Sequence, residues 1–123
     1  KNSNDSSRFV FISSITALVG RRGIIGYSAS KGALNSGIKS MALELADRGI
    51  RANCISPGTI LTPLLVNYLE TLTPEERAKR LDGYPLGIGK PEDIAYAAIY
   101  LLSGASRWIT GQSLIIDGGY TSR

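Results

Sequence analysis

Tyr27 and Lys31 stand four residues apart, and Ser14 lies thirteen residues ahead of the tyrosine. On a helix, positions i and i+4 share a face with Cβ atoms about 5 to 6 Å apart, so a helical segment 27–31 brings a phenol and an ammonium together. A tyrosine has an ordinary pKa of about 10, too high for ready proton exchange near neutrality, and a nearby ammonium favours its phenolate. That pairing suits Tyr27 to general acid/base work. Tyr-x-x-x-Lys alone equally describes a tyrosine lying beside a solvated lysine, so the surrounding elements decide. Arg8 to Ser14, RFVFISS, reads as a short strand rich in aromatic and β-branched residues and ending in two serines. A serine at the carboxyl end of a buried strand stands where open α/β sheets place their ligands.

The rest of the chain alternates helices and strands, with no internal repeat. A glycine-punctuated loop leads to a long helix from about Gly26 to Asp47, with Leu34, Ile38, Met41, Ala42 and Leu45 as an apolar stripe and Gly49 as its stop. Ile50 to Ser56 is the second strand, ended by the Pro57-Gly58 turn. Residues 63–82 read as one or two helices, with Thr73-Pro74-Glu75-Glu76 as a start signal. Pro91, Glu92 and Asp93 open another helix to about Leu102, and Ser113 to Ile116 is a buried strand. Strands separated by helices predict a parallel sheet with right-handed crossovers.

The stretch FVFISSITALVGRRGIIGYSASKGAL resembles the active-site segment of the short-chain dehydrogenase/reductase family. Downstream, Arg48 to Pro63 is similar to that family's strand and proline-glycine turn over the nicotinamide. Gly89 to Ala95, and Thr110-Gly111-Gln112 through Asp117-Gly118-Gly119, are similar to its last helix and last strand. The resemblance implies that Ser14, Tyr27 and Lys31 are catalytic and that Ser13 is a structural neighbour. Ser14 then binds the substrate oxygen, Tyr27 exchanges the proton, and Lys31 holds the nicotinamide ribose with Tyr27. It further implies an NAD or NADP cofactor contacted by Pro57, Gly58, the backbone of Ile60 and the hydroxyl of Thr62. The substrate is then a small-molecule alcohol or ketone, and the complete protein a homodimer or homotetramer. Residues 63–89 take the place of the family's substrate-covering segment, where Leu64, Leu65, Val66 and Tyr68 either line an apolar site or simply pack. Arg21 and Arg22, between the serine and the tyrosine, either draw an anionic group to the cleft mouth or face solvent.

Family members run to about twice this length and begin with a strand, a glycine-rich turn and a helix that holds the cofactor pyrophosphate. Neither Gly20, Gly23 and Gly26 nor Gly87 and Gly89 sit in such a strand, turn and helix, and both sets read as turn glycines. The opening Lys1 to Ser7 is similar to the polar loop before the family's fifth strand. The expected architecture is therefore α/β: a partial, Rossmann-like parallel sheet of three strands with flanking helices, its dinucleotide-binding half missing. Residues 1–123 form the carboxyl-terminal catalytic and substrate half of one domain, inactive by itself and partnered by an amino-terminal half. The alternative is a truncated, non-catalytic folding or oligomerisation module that keeps the long helix.

Composition limits the other classes. With 123 residues, 43% of them hydrophobic, the chain can form one modest core. It contains no histidine, which excludes a Ser-His-Asp site or a histidine metal site within it, and the scattered carboxylates show no ligand spacing, so no metal is expected. Cys54 is the single cysteine and lies in an apolar strand, which fits a buried thiol in a reducing compartment. No leader and no apolar run near the roughly 20 residues of a membrane helix is present, so a cytoplasmic protein without membrane contact is expected. The formal charge of +4 is scattered apart from Arg21-Arg22, which favours a solvated surface over nucleic-acid binding.

Overall fold

The computed structural model describes residues 7–122; the polar stretch expected as a loop at the start falls outside them except for Ser7. Three parallel strands, β1 (Arg8–Ile12), β2 (Arg51–Pro57) and β3 (Ser113–Ile116), form one sheet in the order β1-β2-β3. Arg8 stands opposite Arg51 and Ile12 opposite Ile55, while Cys54 stands opposite Ser113 and Pro57 opposite Ile116. The expected partial α/β sheet is thus observed.

The central strand β2 is buried from Ala52 to Pro57, as a parallel strand covered on both faces must be. Its Ala52 and Cys54 meet Ile38 of the long helix α1 (Ile25–Ala46), and Phe11, Leu34 and Met41 close around them. Burial pushes the Cys54 thiol up, against a smaller lowering by Lys31. Helix α4 (Pro91–Leu102) packs against β1 and β2. Its carboxyl end is held by Arg51, whose guanidinium donates to the carbonyls of Leu101 (2.9 Å), Ser103 (2.9 Å) and Ile109 (3.0 Å). Of these, the Leu101 carbonyl is one of the last-turn carbonyls of α4 that lack an intrahelical partner, and it also accepts from Ser106 Oγ at 2.9 Å.

Residues 63–82 make two helices, α2 (Pro63–Glu70) and α3 (Pro74–Leu81). Each opens with a proline behind a threonine cap. Thr62 Oγ1 accepts from the Leu65 N–H, and Thr73 forms a reciprocal capping box with Glu76. Gly49, at φ +70°, ends α1 in the left-handed turn that glycine adopts most readily.

The first strand ends at Ile12 and not at Ser14. Ser13 N–H still reaches Ile55 O at 2.7 Å, but Ser14 turns its side chain to the Thr16 N–H and caps a short 3₁₀ turn, Ile15–Ala17. Serine competes for local backbone groups in this way, and the chain leaves the sheet there. No helix among the described residues is long and apolar enough to cross a membrane.

Candidate active site

The end of β1 and the first turns of α1 are fastened together by two hydrogen bonds. Lys31 Nζ donates to Ile12 O at 2.9 Å, and Ser13 Oγ donates to Lys31 O at 3.0 Å. Residue 31 therefore sets the distance between the strand end that carries Ser14 and the helix that carries Tyr27. Ser13 and Ser14 are both buried but differ in what they leave unspent. The Ser13 hydroxyl gives its proton to the helix backbone. Ser14 Oγ accepts from Thr16 N–H, which keeps its own O–H available for a ligand. Tyr27 is half exposed, and the Lys31 ammonium lies 5.7 Å from the centre of its ring.

Ser14, Tyr27, Gly58, Ile60 and Thr62 line a single cleft of about 540 Å³. Lys31, on α1, and Pro57, at the end of β2, are not among the residues that line it. Of the two arginines, Arg21 lines the cleft and Arg22 does not. Leu64 and Leu65 line it as well, whereas Val66 and Tyr68 lie elsewhere.

The turn after β2 is shaped by packing. A Cβ on Gly58 would stand 2.9 Å from the Asp117 Cα and 3.0 Å from the Tyr84 Cε1, so only glycine fits without displacing backbone. Beyond it, Ile60 pairs with Gly89 in a one-residue parallel bridge that uses Thr59 O and Leu61 N–H. In that geometry Ile60's own N–H and C=O point away from Gly89. Thr62 N–H donates to Ile60 O at 2.8 Å, and the Thr62 hydroxyl, engaged as the acceptor that caps α2, keeps its proton to donate.

Sequence reasoning missed three groups. Tyr84 OH lies 2.6 Å from Thr59 Oγ1 and accepts from Thr59 N–H at 3.2 Å, while its ring packs on Tyr120 with centroids 4.6 Å apart. Arg80 Nη1 reaches the same Thr59 hydroxyl at 3.4 Å. Asn35, one turn beyond Lys31, hydrogen-bonds Ser56 on β2 and Ser113 on β3, whose hydroxyls are 2.7 Å apart. An amide among Leu34 and Ile38 was the legible signal for that network; no local pattern marks the other two. Asp117 sits at the back of the turn. Burial acts to raise its carboxyl, but hydrogen bonds from the Thr121 hydroxyl and N–H and the Gly119 N–H prevail and hold it below the usual carboxylate range. Among the described residues, no group of three or more acidic, cysteine or histidine side chains gathers as for a metal.

A family model described as enoyl-(acyl carrier protein) reductase matches residues 2–121. The chain belongs to the short-chain dehydrogenase/reductase family. Among relatives of this family, it is 39% identical over 111 residues to a cyclohexanol dehydrogenase of Acinetobacter sp. strain SE19, covering 89% of this chain and 41% of that protein. A short-chain dehydrogenase family protein from Francisella tularensis superposes with a TM-score of 0.86 at 35% identity, over 94% of this chain and 51% of that one. The structure of a 7α-hydroxysteroid dehydrogenase complexed with NADH and 7-oxo glycochenodeoxycholic acid matches with a TM-score of 0.84 at 37% identity, over 94% and 45% of the two chains. This chain spans about half or less of the length of the curated relatives it matches.

Proposed function

We propose that this chain is the catalytic and substrate-binding half of an NAD(P)-dependent oxidoreductase that interconverts an alcohol and a ketone. One observation carries the reading: Ser14 and Tyr27 open into one cleft with the Gly58 to Thr62 turn, while Ser13 is spent on the helix backbone. NAD(P), when bound, supplies or accepts the hydride. The residues present fit its nicotinamide end. Tyr27 and Lys31 would take the ribose hydroxyls, since the Lys31 ammonium has donors beyond the one given to Ile12 O. Pro57 and Gly58 would bound the ring, Ile60 N–H would meet the carboxamide, and the Thr62 hydroxyl would donate near the pyrophosphate. Binding of the dinucleotide end falls to the amino-terminal half.

Ser14 O–H donates to the reacting oxygen and fixes its position. Tyr27 passes a proton to that oxygen in reduction and takes it back in oxidation, so the oxygen is never left as an unsolvated anion. Lys31 keeps its positive charge near the phenol through its anchorage on Ile12 O, and that anchorage also fixes the spacing between the two hydroxyl-bearing elements. The alternative, a non-catalytic assembly module, is favoured by the largely exposed Ile25 and Leu43 on α1.

Steady-state kinetics and cofactor titrations on four variants of the complete enzyme test the reading. Tyr27→Phe should lower kcat by roughly 10²- to 10⁴-fold with cofactor affinity retained. Lys31→Ala should impair both turnover and cofactor affinity, and Ser14→Ala chiefly turnover. Near-normal turnover in Tyr27→Phe, or a larger loss in Ser13→Ala than in Ser14→Ala, would overturn it.

A further inference from the structure

The lining of the cleft is also basic. Arg21, Lys79 and Arg80 line it against one carboxylate, Asp82, whose Oδ1 is turned to the Gly83 N–H at 2.8 Å. Lys79 and Arg80 occupy the last turn of α3, where cations suit the helix dipole, and that accounts for a solvated Lys79. It does not account for Arg80. This side chain is partly buried, its Nε is inaccessible and without a hydrogen-bond partner, and its bond to Thr59 Oγ1 is long at 3.4 Å. Glu76, the i−4 neighbour that would pair with it on an ordinary helix surface, is turned back to the Thr73 N–H at 2.9 Å. Among the described residues, none of the three cations is in an ion pair. A guanidinium held in a concave wall, with one donor orphaned and another only weakly bonded, is poorly satisfied by the protein and keeps its remaining N–H groups for a ligand. A cleft of one sign also focuses its field on ligands of the other.

We infer that the substrate of this cleft carries an anionic group, a carboxylate or a phosphate, and that Arg80 receives it, with Lys79 and Arg21 adding charge around it. The inference rests on the oxidoreductase reading of the same cleft and narrows its substrate class to oxo or hydroxy acids and phosphates. Arginine suits the task because its planar fork matches both anions with paired N–H donors. Arg80 borders Thr59, at the Gly58 end of the turn, whereas Thr62, the group given to the pyrophosphate, stands at its other end, so the anion Arg80 holds is assigned to the substrate.

The test compares charged substrates with neutral partners in the complete enzyme: pyruvate, acetoacetate and 4-oxopentanoate each against its methyl ester, and dihydroxyacetone phosphate against dihydroxyacetone. For at least one pair, kcat/KM should favour the anion by about tenfold or more. Arg80→Met should bring that ratio towards one, and Arg80→Lys should retain part of it. Neutral partners preferred in every pair, or a ratio unmoved by Arg80→Met, would overturn the inference while leaving the oxidoreductase reading intact. A weakened cofactor KM with an unchanged ratio would assign the anion to the cofactor and equally overturn it. If no pair is turned over, calorimetric titration of wild type and Arg80→Met with 4-oxopentanoate and with dihydroxyacetone phosphate decides anion binding independently of the oxidoreductase reading, which its own variants test. Binding of either anion that is lost in Arg80→Met supports the inference, and equal or absent binding of both refutes it.

Discussion

Gly58→Ala isolates how the cleft floor is packed. The added methyl would lie 2.9 Å from Asp117 Cα, 3.0 Å from Asp117 Cβ and 3.0 Å from Tyr84 Cε1. Favourable carbon contacts begin at about 3.5 Å, so each falls short by roughly half an ångström. Neither neighbour yields by a simple rotamer change. Asp117 presents its Cα, with its carbonyl held by the Tyr120 N–H and its carboxylate by Gly119 and Thr121, and Tyr84 is pinned by Thr59 with its ring tilted against Tyr120. Forcing a methyl into such a site typically costs about 1 to 3 kcal/mol. With a urea m-value of about 1 to 3 kcal/mol/M, the unfolding midpoint should fall by around 1 M with the slope unchanged. Gly20→Ala is the matched control. It lies on the same cleft, its new methyl would meet no heavy atom within 4 Å, and its φ is not positive, so stability should stay unchanged or rise by about 0.4 to 1 kcal/mol. Urea unfolding of the two variants followed by circular dichroism decides the matter; a Gly58→Ala loss below about 0.5 kcal/mol, or one no larger than the control, refutes the packing argument.

Asp117 has a depressed carboxyl in the folded chain, so it contributes stability above the ordinary aspartate range that is lost as pH falls through its folded value. Stability against pH should therefore drop on acidification below about pH 4, and Asp117→Asn, measured by thermal unfolding across that range, should flatten the drop. Among the described residues, strand β1 pairs with β2 on one side only, and Phe9 and Ile12 are about half exposed. The 123-residue chain alone should self-associate through that edge, and a monodisperse monomer in sedimentation across a wide concentration range would refute this.

The elements that place the site were legible because each carries a local signal. Proline and threonine mark the starts of α2 and α3, glycine with a positive φ ends α1, and the apolar stripe of α1 meets β2 through Ile38, with Leu34 and Met41 beside it, as its period requires. Tyr27 and Lys31 were legible for the same reason, since helical spacing alone puts them on one face. What sequence could not show is how each hydroxyl is spent. Ser13 and Ser14 are identical in type and adjacent, and only the fold reveals that one donates to Lys31 O while the other caps a 3₁₀ turn with its proton to spare. Lys31 carries the same lesson: its ammonium reaches back nineteen residues to Ile12 O, so its anchorage belongs to the sheet as much as to the i,i+4 pair. Arg80, Tyr84 and Thr59 meet only because the chain from α3 returns over the end of β2, a contact across 21 to 25 residues that no periodicity encodes. The part of the cleft that would choose a substrate is therefore built from long-range contacts, while the part that would move the proton is built on one helix and one strand end. Chemistry in this fold can be read locally, and specificity has to be read from packing.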